Sequence, residues 1–211
     1  MWEDGEVLPQ TERLVLREMT EADLPSLRAI LQDPGTMTAY EGPFDDAEVD
    51  AWLAKQRDNY RTYGHGLWAA VLRDSSAMIG QCGITWQNID GCRVLEVGYL
   101  FNRSFWHQGY ATEAARACRD WAFERLAADE VYAQVRDINI ASMNVAIRLG
   151  MTVRSRFVKH YRGVDMPHFA FAVAARGRCH ASGPVQKFVT GFAGLRGCMA
   201  RRRREAIAAL S

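Results

Sequence analysis

The segment spanning residues 100–115 constrains the fold of this chain more than any other, because a strand pattern passes there almost directly into a helix pattern. An apolar, strand-like run ends at Phe101, and a helical run rich in small residues begins at Gly109. A junction of this kind directs free backbone N–H groups and the positive end of a helix dipole toward one point in space. The sequence therefore predicts a phosphate-binding junction, followed by a helix that packs closely against a sheet.

The order of the other patterns predicts the fold class. A strand pattern over residues 12–19 is followed by two helical stripes, the second beginning near Asp45 and ending at Gly64. Three alternating segments separated by turn residues then indicate an antiparallel meander, over residues 67–73, 77–86 and 92–101. After the junction helix come a short strand, a short helix and a final hairpin around Arg162-Gly163. A strand–helix–strand step inside a mostly antiparallel run indicates an α+β (mixed α/β) single domain with a mixed sheet.

Charge is distributed unevenly along the chain, although its formal net charge is only +1. Residues 176–211 carry eight basic side chains against Glu205 alone, so the preceding residues are acidic overall. An acidic body argues against DNA binding by the main domain. The chain has no apolar run of membrane-spanning length, and its acidic start has no apolar signal-like region. We therefore expect no transmembrane segment, no secretory signal and a cytoplasmic location.

The basic tail, residues 176–211, is expected to lie outside the main domain. Apolar side chains recur at helical spacing from Val185 to Met199, and four arginines follow. The glycines within that stretch weaken a helix. The sequence leaves several alternatives open for the tail: docking on the acidic body, docking across a homodimer, contact with acidic membrane or RNA, or disorder.

Neither the cysteines nor the histidines are spaced as metal ligands. The five cysteines form no CxxC pair, and none of them lies near a histidine at ligand spacing. We therefore assign no metal to this protein.

Two segments resemble those of a known family, the GNAT N-acetyltransferases. Residues 106–111, Trp-His-Gln-Gly-Tyr-Ala, are similar to the family's pyrophosphate-binding motif, Gln/Arg-x-x-Gly-x-Gly/Ala, with Trp106 replacing the usual Gln or Arg. Residues 139–151 form the second segment. Both segments resemble most closely the branch that acts on ribosomal-protein N-termini, together with its small-molecule relatives. The resemblance extends over residues 12–175, so we expect an N-acetyltransferase domain with these bounds.

The resemblance implies a single mixed, mostly antiparallel sheet flanked by helices, and acetyl-CoA as the co-substrate. Backbone N–H groups of residues 108–112 are expected to hold the pyrophosphate, and Gly109 allows the close approach. The pantetheine arm is expected to lie where the strand ending at Phe101 splays from its parallel neighbour. The residues that the resemblance assigns to cofactor binding are Leu100, Phe101, His107, Gln108, Gly109, Tyr110, Ala111, Thr112, Asn139, Ser142 and Arg148.

Glu96 and Ser142 are the catalytic candidates. Glu96 is a charge inside an apolar strand, and the resemblance places it facing the acceptor, where it would take a proton from the attacking amine. The alternative for Glu96 is a solvent-facing strand position. Ser142 would hydrogen-bond the CoA sulfur and protonate the leaving thiolate, with Tyr110 as a second candidate acid. Asn139 is also expected to cap the short helix, and Arg148 either reaches a CoA phosphate or lies on a solvated helix face.

The function that the resemblance implies is transfer of an acetyl group from acetyl-CoA to a primary amine, by direct attack within a ternary complex. The acceptor would be a protein N-terminus or a small-molecule amine. The alternative is a non-catalytic acyl-CoA-binding or interaction module with the same fold. Binding of CoA without thiol release would favour that alternative.

Overall fold

The computed structural model describes residues 8–40 and 42–175 of the chain. Within those residues the strands are β1 Leu14–Arg17, β2 Leu67–Leu72, β3 Met78–Ile89, β4 Cys92–Phe101, β5 Glu130–Arg136, β6 Thr152–Tyr161 and β7 Val164–Ala174. The α-helices are α1 Leu24–Leu31, α2 Asp46–Tyr63, α3 Tyr110–Arg125 and α4 Ile140–Arg148. This is the element order that the sequence predicts. The predicted tail, residues 176–211, lies outside the described residues.

The strands form one seven-stranded sheet in the order β1-β2-β3-β4-β5-β7-β6. Every neighbouring pair is antiparallel except β4 and β5, which are parallel. A parallel pair requires a crossover, and α3 supplies it between these two strands. The predicted fold class, a mixed and mostly antiparallel sheet flanked by helices, is confirmed.

Local sequence signals set the bounds of α2 as predicted. The Asp45 side chain accepts a hydrogen bond from the Glu48 backbone N–H at 2.8 Å, and the Glu48 carboxylate accepts one from the Asp45 N–H at 2.9 Å. These reciprocal bonds satisfy donors that a helix start leaves free. Gly64 ends the helix in the left-handed conformation, with φ of 72°.

The hairpin of β3 and β4 differs from its prediction in length. Strand β3 continues to Ile89, three residues beyond the predicted end, because a two-residue turn at Asp90-Gly91 lets Ile89 pair directly with Cys92. Both turn residues have positive φ, 50° and 82°, as a tight hairpin turn requires. The Asn88 side chain accepts a hydrogen bond from the Gly91 N–H at 2.8 Å. Asn88 is therefore a strand residue that also supports the turn.

The two faces of the sheet are covered by different helices. Helix α3 packs small buried residues, Ala114, Ala115, Cys118 and Ala122, into the core of one face. On the opposite face α1 and α2 bury Leu27, Leu31, Val49 and Leu53 against β2. Strand β4 lies between these two cores and presents side chains to both. None of the helices in the described part of the chain is both long and apolar enough to cross a lipid bilayer.

Candidate active site

The sheet opens between its two parallel strands. Strands β4 and β5 are paired at a single position, where Glu96 lies opposite Tyr132. Beyond that pair, residues 97–101 and residues 133–136 have no pairing across this boundary, whereas β4 remains bonded to β3 and β5 to β7. The divergence leaves backbone hydrogen-bonding groups of both strands directed into a gap. This is the splay that the resemblance leads one to expect at the end of β4.

A cleft of about 1830 Å³ runs through this gap. Of the residues predicted for the site, these line it: Glu96, Leu100, Phe101, His107, Gly109, Tyr110, Ala111, Thr112, Asn139, Ser142 and Arg148. Gln108 does not line the cleft, although it directly precedes Gly109. Its carbonyl instead accepts a hydrogen bond from the Arg13 guanidinium at 3.0 Å.

The junction between β4 and α3 has the geometry of an anion site. Gly109 is the N-cap of α3 with φ of 84°, a left-handed conformation that glycine adopts without strain. His107 also has a positive φ, 61°, so the loop turns sharply before the helix begins. Gly109 has no side chain with which to cap the helix. The first-turn N–H groups of α3 are therefore left to a ligand, and the helix dipole favours an anionic one.

Trp106, the departure from the usual motif, has a structural role at the end of β4. Its indole N–H donates a hydrogen bond to the Phe101 carbonyl at 2.8 Å. Phe101 is the last residue of β4, so this bond satisfies a carbonyl that the ladder leaves free and closes the loop toward α3.

Sequence reasoning missed Arg13, which directly precedes β1 and contacts the junction. Its guanidinium donates to the Glu113 carboxylate at 2.7 Å and to the Gln108 carbonyl, and it stacks over the Tyr110 ring at 4.2 Å. The Thr11 hydroxyl donates to the same carboxylate at 2.5 Å. No local pattern predicts this network, because its partners are about a hundred residues apart in sequence.

Glu96 lies at the point where the two strands diverge. The Gln134 backbone N–H donates to Glu96 Oε1 at 2.9 Å, and the Gln134 side-chain amide lies 3.4 Å from Oε2. Burial raises the pKa of Glu96 above its ordinary value, and the positive charges of Lys159 and Lys55 act in the opposite direction. Glu96 is thus not an ordinary solvent-facing residue. It satisfies a freed donor of β5 and presents a carboxylate to the cleft.

Helix α4 begins on the other side of the gap. The Asn139 side chain accepts a hydrogen bond from the Ser142 N–H at 3.0 Å, which confirms the predicted cap. The Tyr99 hydroxyl donates to the Ser142 carbonyl at 2.9 Å and so joins β4 to α4. Burial raises the pKa of Tyr99, so this hydroxyl stays neutral. Among the described residues the Ser142 hydroxyl has no hydrogen-bond partner, which leaves it available to a ligand.

Aromatic residues and lysines form the other end of the cleft, and the sequence did not single them out. The Tyr40, Phe44 and Trp52 rings meet edge to face, with centroids 5.8–6.4 Å apart. Lys55 on α2 and Lys159 on β6 also line this end. The residues lie on four separate segments that only the fold brings together. Among residues 8–40 and 42–175, no group of three or more His, Cys, Asp or Glu side chains is placed to hold a metal ion.

Comparison with known proteins identifies the family. A family model described as an acetyltransferase (GNAT) domain matches residues 13–152. The uncharacterized protein YkkB of Bacillus subtilis is 39% identical over 142 residues, covering 67% of this chain and 83% of YkkB. The uncharacterized N-acetyltransferase YnaD of the same organism is 28% identical over 151 residues, covering 71% of this chain and 85% of YnaD.

Solved structures agree with this assignment. An acetyltransferase from Agrobacterium tumefaciens is 30% identical, with a TM-score of 0.68, and the match covers 83% of this chain and 98% of that one. RimL, a ribosomal L7/L12 α-N-protein acetyltransferase, shares the fold at 18% identity with a TM-score of 0.67 over 81% of this chain and 94% of its own. The chain therefore belongs to the GNAT family of acetyltransferases, which take their acetyl group from acetyl-CoA.

Proposed function

We propose that this acetyltransferase moves the acetyl group of acetyl-CoA to a primary amine by direct attack, within a ternary complex. The observation that carries the proposal is the continuity of one cleft. It runs from the uncapped start of α3, along the gap between β4 and β5, to the carboxylate of Glu96. In this proposal the start of α3 holds the pyrophosphate, the gap takes the pantetheine arm and Glu96 is the base, which is the order that the reaction needs.

The residues present fit acetyl-CoA. The N–H groups around Gly109 and the dipole of α3 suit the pyrophosphate. The backbone groups at the end of β4 that face the gap and have no strand partner there suit the amide groups of the pantetheine arm, and Asn139 lines the opposite wall of the gap. Ser142 lies at the start of α4, where its hydroxyl is free for the sulfur.

The reaction needs no covalent enzyme intermediate. The amine nitrogen attacks the thioester carbonyl, the C–N bond forms, and the C–S bond breaks. Glu96 receives the amine proton, directly or through water, and the Ser142 hydroxyl supplies a proton to the leaving thiolate. A backbone N–H at the end of β4 that faces the gap would stabilise the oxyanion. A raised pKa suits Glu96 to this work, since a more basic carboxylate is the better proton acceptor.

The test is a thiol-release assay with acetyl-CoA against a panel of amines and peptides, with mass detection of the acetylated product. We expect amine-dependent thiol release and a product that is about 42 Da heavier than the acceptor, as acetylation requires. Acetyl-CoA binding in calorimetry without release for any amine would instead favour the non-catalytic module.

A further inference from the structure

The end of the cleft that faces Glu96 has its own chemistry. We call it the acceptor end and define it by Tyr40, Trp52, Lys55, Glu96 and Lys159, all of which line the cleft. It lies on the α1 and α2 side of the sheet, opposite the α3 face. Because the pyrophosphate junction belongs to α3, this end is where the group that attacks the acetyl carbon would enter.

Lysine is rare in this chain, and the lysines of its described part lie in the cleft. Only three of the 26 basic side chains are lysines: Lys55, Lys159 and Lys187. The two that fall within the described residues both line the acceptor end. Neither forms an ion pair with any described residue, whereas the nearby Arg162 is paired with Glu48. Two compact, uncompensated positive charges therefore face the same space.

The two lysines reach the acceptor end from different elements of the fold. Lys55 lies on α2 and Lys159 on β6, and both are close enough to Glu96 to oppose the rise of its pKa. Glu96 already accepts the Gln134 N–H. Its single negative charge cannot neutralise two cations. His168, which also lines the cleft, is buried, and burial lowers its pKa and keeps it neutral. The acceptor end therefore has an excess of positive charge.

An apolar wall stands beside these charges. The Trp52 ring is fixed by a hydrogen bond from its N–H to the Gln81 side chain at 2.8 Å, and its edge contacts with Tyr40 and Phe44 leave little freedom. A fixed aromatic surface favours an acceptor that carries a flat apolar group.

We propose that the acceptor is a small primary amine that carries both a carboxylate and an apolar group, with the carboxylate held between Lys55 and Lys159. This rests on the proposed function of the cleft. The amine is then directed to Glu96, and the apolar group lies against the aromatic wall. The same excess of positive charge repels polycationic amines, so polyamines and aminoglycoside-like acceptors are disfavoured.

The experiment compares matched amines that differ in one group. L-Phenylalanine carries the carboxylate, L-phenylalaninamide lacks its charge, the phosphonate analogue of phenylalanine replaces it, and spermidine is a polycation. Each is measured twice, by thiol release with acetyl-CoA and by equilibrium binding to the CoA-saturated protein. We expect the carboxylate to be favoured over the amide by about tenfold in both measurements, as two partly exposed ion pairs allow. A phosphonate preferred over the carboxylate would overturn the choice of carboxylate.

Charge-removing variants connect the preference to the lysines. Lys55→Met and Lys159→Met keep much of the side-chain length, and together they should reduce the preference to about twofold or less while leaving the KM for acetyl-CoA unchanged. The matched control is Arg61→Met, which removes a positive charge from the same helix outside the cleft, where Arg61 pairs with Asp58. The control should retain the full preference.

The outcomes separate the two proposals. If the anionic amines bind with the expected preference but no thiol is released, the acetyl transfer is wrong and the anion site stands. If the amide or spermidine is acetylated as well as the carboxylate, the transfer stands and the anion site is wrong. A preference that survives both lysine substitutions also overturns the assignment. If no amine either binds or reacts, both proposals fall.

Discussion

At the residue scale, Glu96 has an observed role in the fold and a proposed role in the chemistry. Its carboxylate accepts the Gln134 N–H that the divergence of β5 leaves without a ladder partner. An alanine at this position would leave that donor unsatisfied, with a cost to stability as well as to activity. Separating the two roles therefore requires a substitution that keeps the acceptor and removes only the titratable group.

Glu96→Gln is that substitution, because the glutamine carbonyl still accepts the Gln134 N–H. We expect kcat to fall by roughly 10²-fold near neutral pH, with little change in the KM for acetyl-CoA. A base acts only when it is deprotonated, so the wild-type rate should rise with pH as Glu96 loses its proton. Because the pKa of Glu96 is raised, this rise should occur at a higher pH than for an ordinary glutamate. The variant should lose that rising limb. A change confined to KM, or an unchanged pH profile, would mean that Glu96 has only a structural role.

Gly109 supports a second prediction at this scale. Gly109→Asp places a negative charge at the proposed pyrophosphate site, whereas Gly109→Asn is nearly the same size, is neutral and tolerates the left-handed backbone better than most residues. We expect acetyl-CoA affinity in calorimetry to fall by about tenfold or more for the aspartate and clearly less for the asparagine. Equal losses in the two variants would mean that backbone strain, not charge, governs the effect.

At the scale of elements, the start of α3 is held by a strand far away in sequence. Arg13, immediately before β1, donates to the Glu113 carboxylate and to the loop carbonyl of Gln108. The side chain of Arg13 is 42% exposed, so the pair contributes little to global stability, about 0–1 kcal/mol. Because Arg13 also holds the Gln108 carbonyl, we infer that the pair acts mainly by fixing the conformation of the loop before α3.

Glu113→Gln should therefore weaken acetyl-CoA binding by several-fold while moving the midpoint of thermal unfolding by only a few degrees. Glu48→Gln is the control, since Glu48 also pairs with an arginine but lies at the start of α2. It should leave acetyl-CoA binding unchanged. A large drop in melting temperature for Glu113→Gln would instead mean that the ion pair of Arg13 and Glu113 mainly stabilises the fold.

The elements were predictable because their signals are local. The cap at Asp45, the stop at Gly64 and the cap at Asn139 each depend on residues within one turn. The start of α3 at Gly109 was equally readable from the sequence. What could not be predicted are contacts made between distant segments: Arg13 with Glu113, Tyr99 with α4, and the lysines at the acceptor end. Such contacts depend on strand order and register, which a single sequence does not encode locally.

At the scale of the whole molecule, the domain bounds 12–175 remain a prediction. All seven strands and every residue that lines the cleft, within the described part of the chain, precede residue 176. A variant that lacks residues 180–211 should therefore fold and bind acetyl-CoA, as judged by thermal unfolding, sizing and calorimetry. A collapse of the melting temperature together with lost binding would show that the basic tail is part of the domain. Association of the truncated form would point to an apolar surface that the tail covers.

The single pairing of Glu96 with Tyr132 has a consequence for the cohesion of the sheet. Strands β1 to β4 form one continuous ladder, and β5, β7 and β6 form another. A ligand that bonds both walls of the gap replaces hydrogen bonds that the two ladders do not make with each other. Because anything that binds only the folded state stabilises it, occupancy of the gap should tie the two ladders together. Local opening of β5 to β7 would then become rarer as the ligand concentration rises, so that the enzyme is most rigid when it is loaded for reaction.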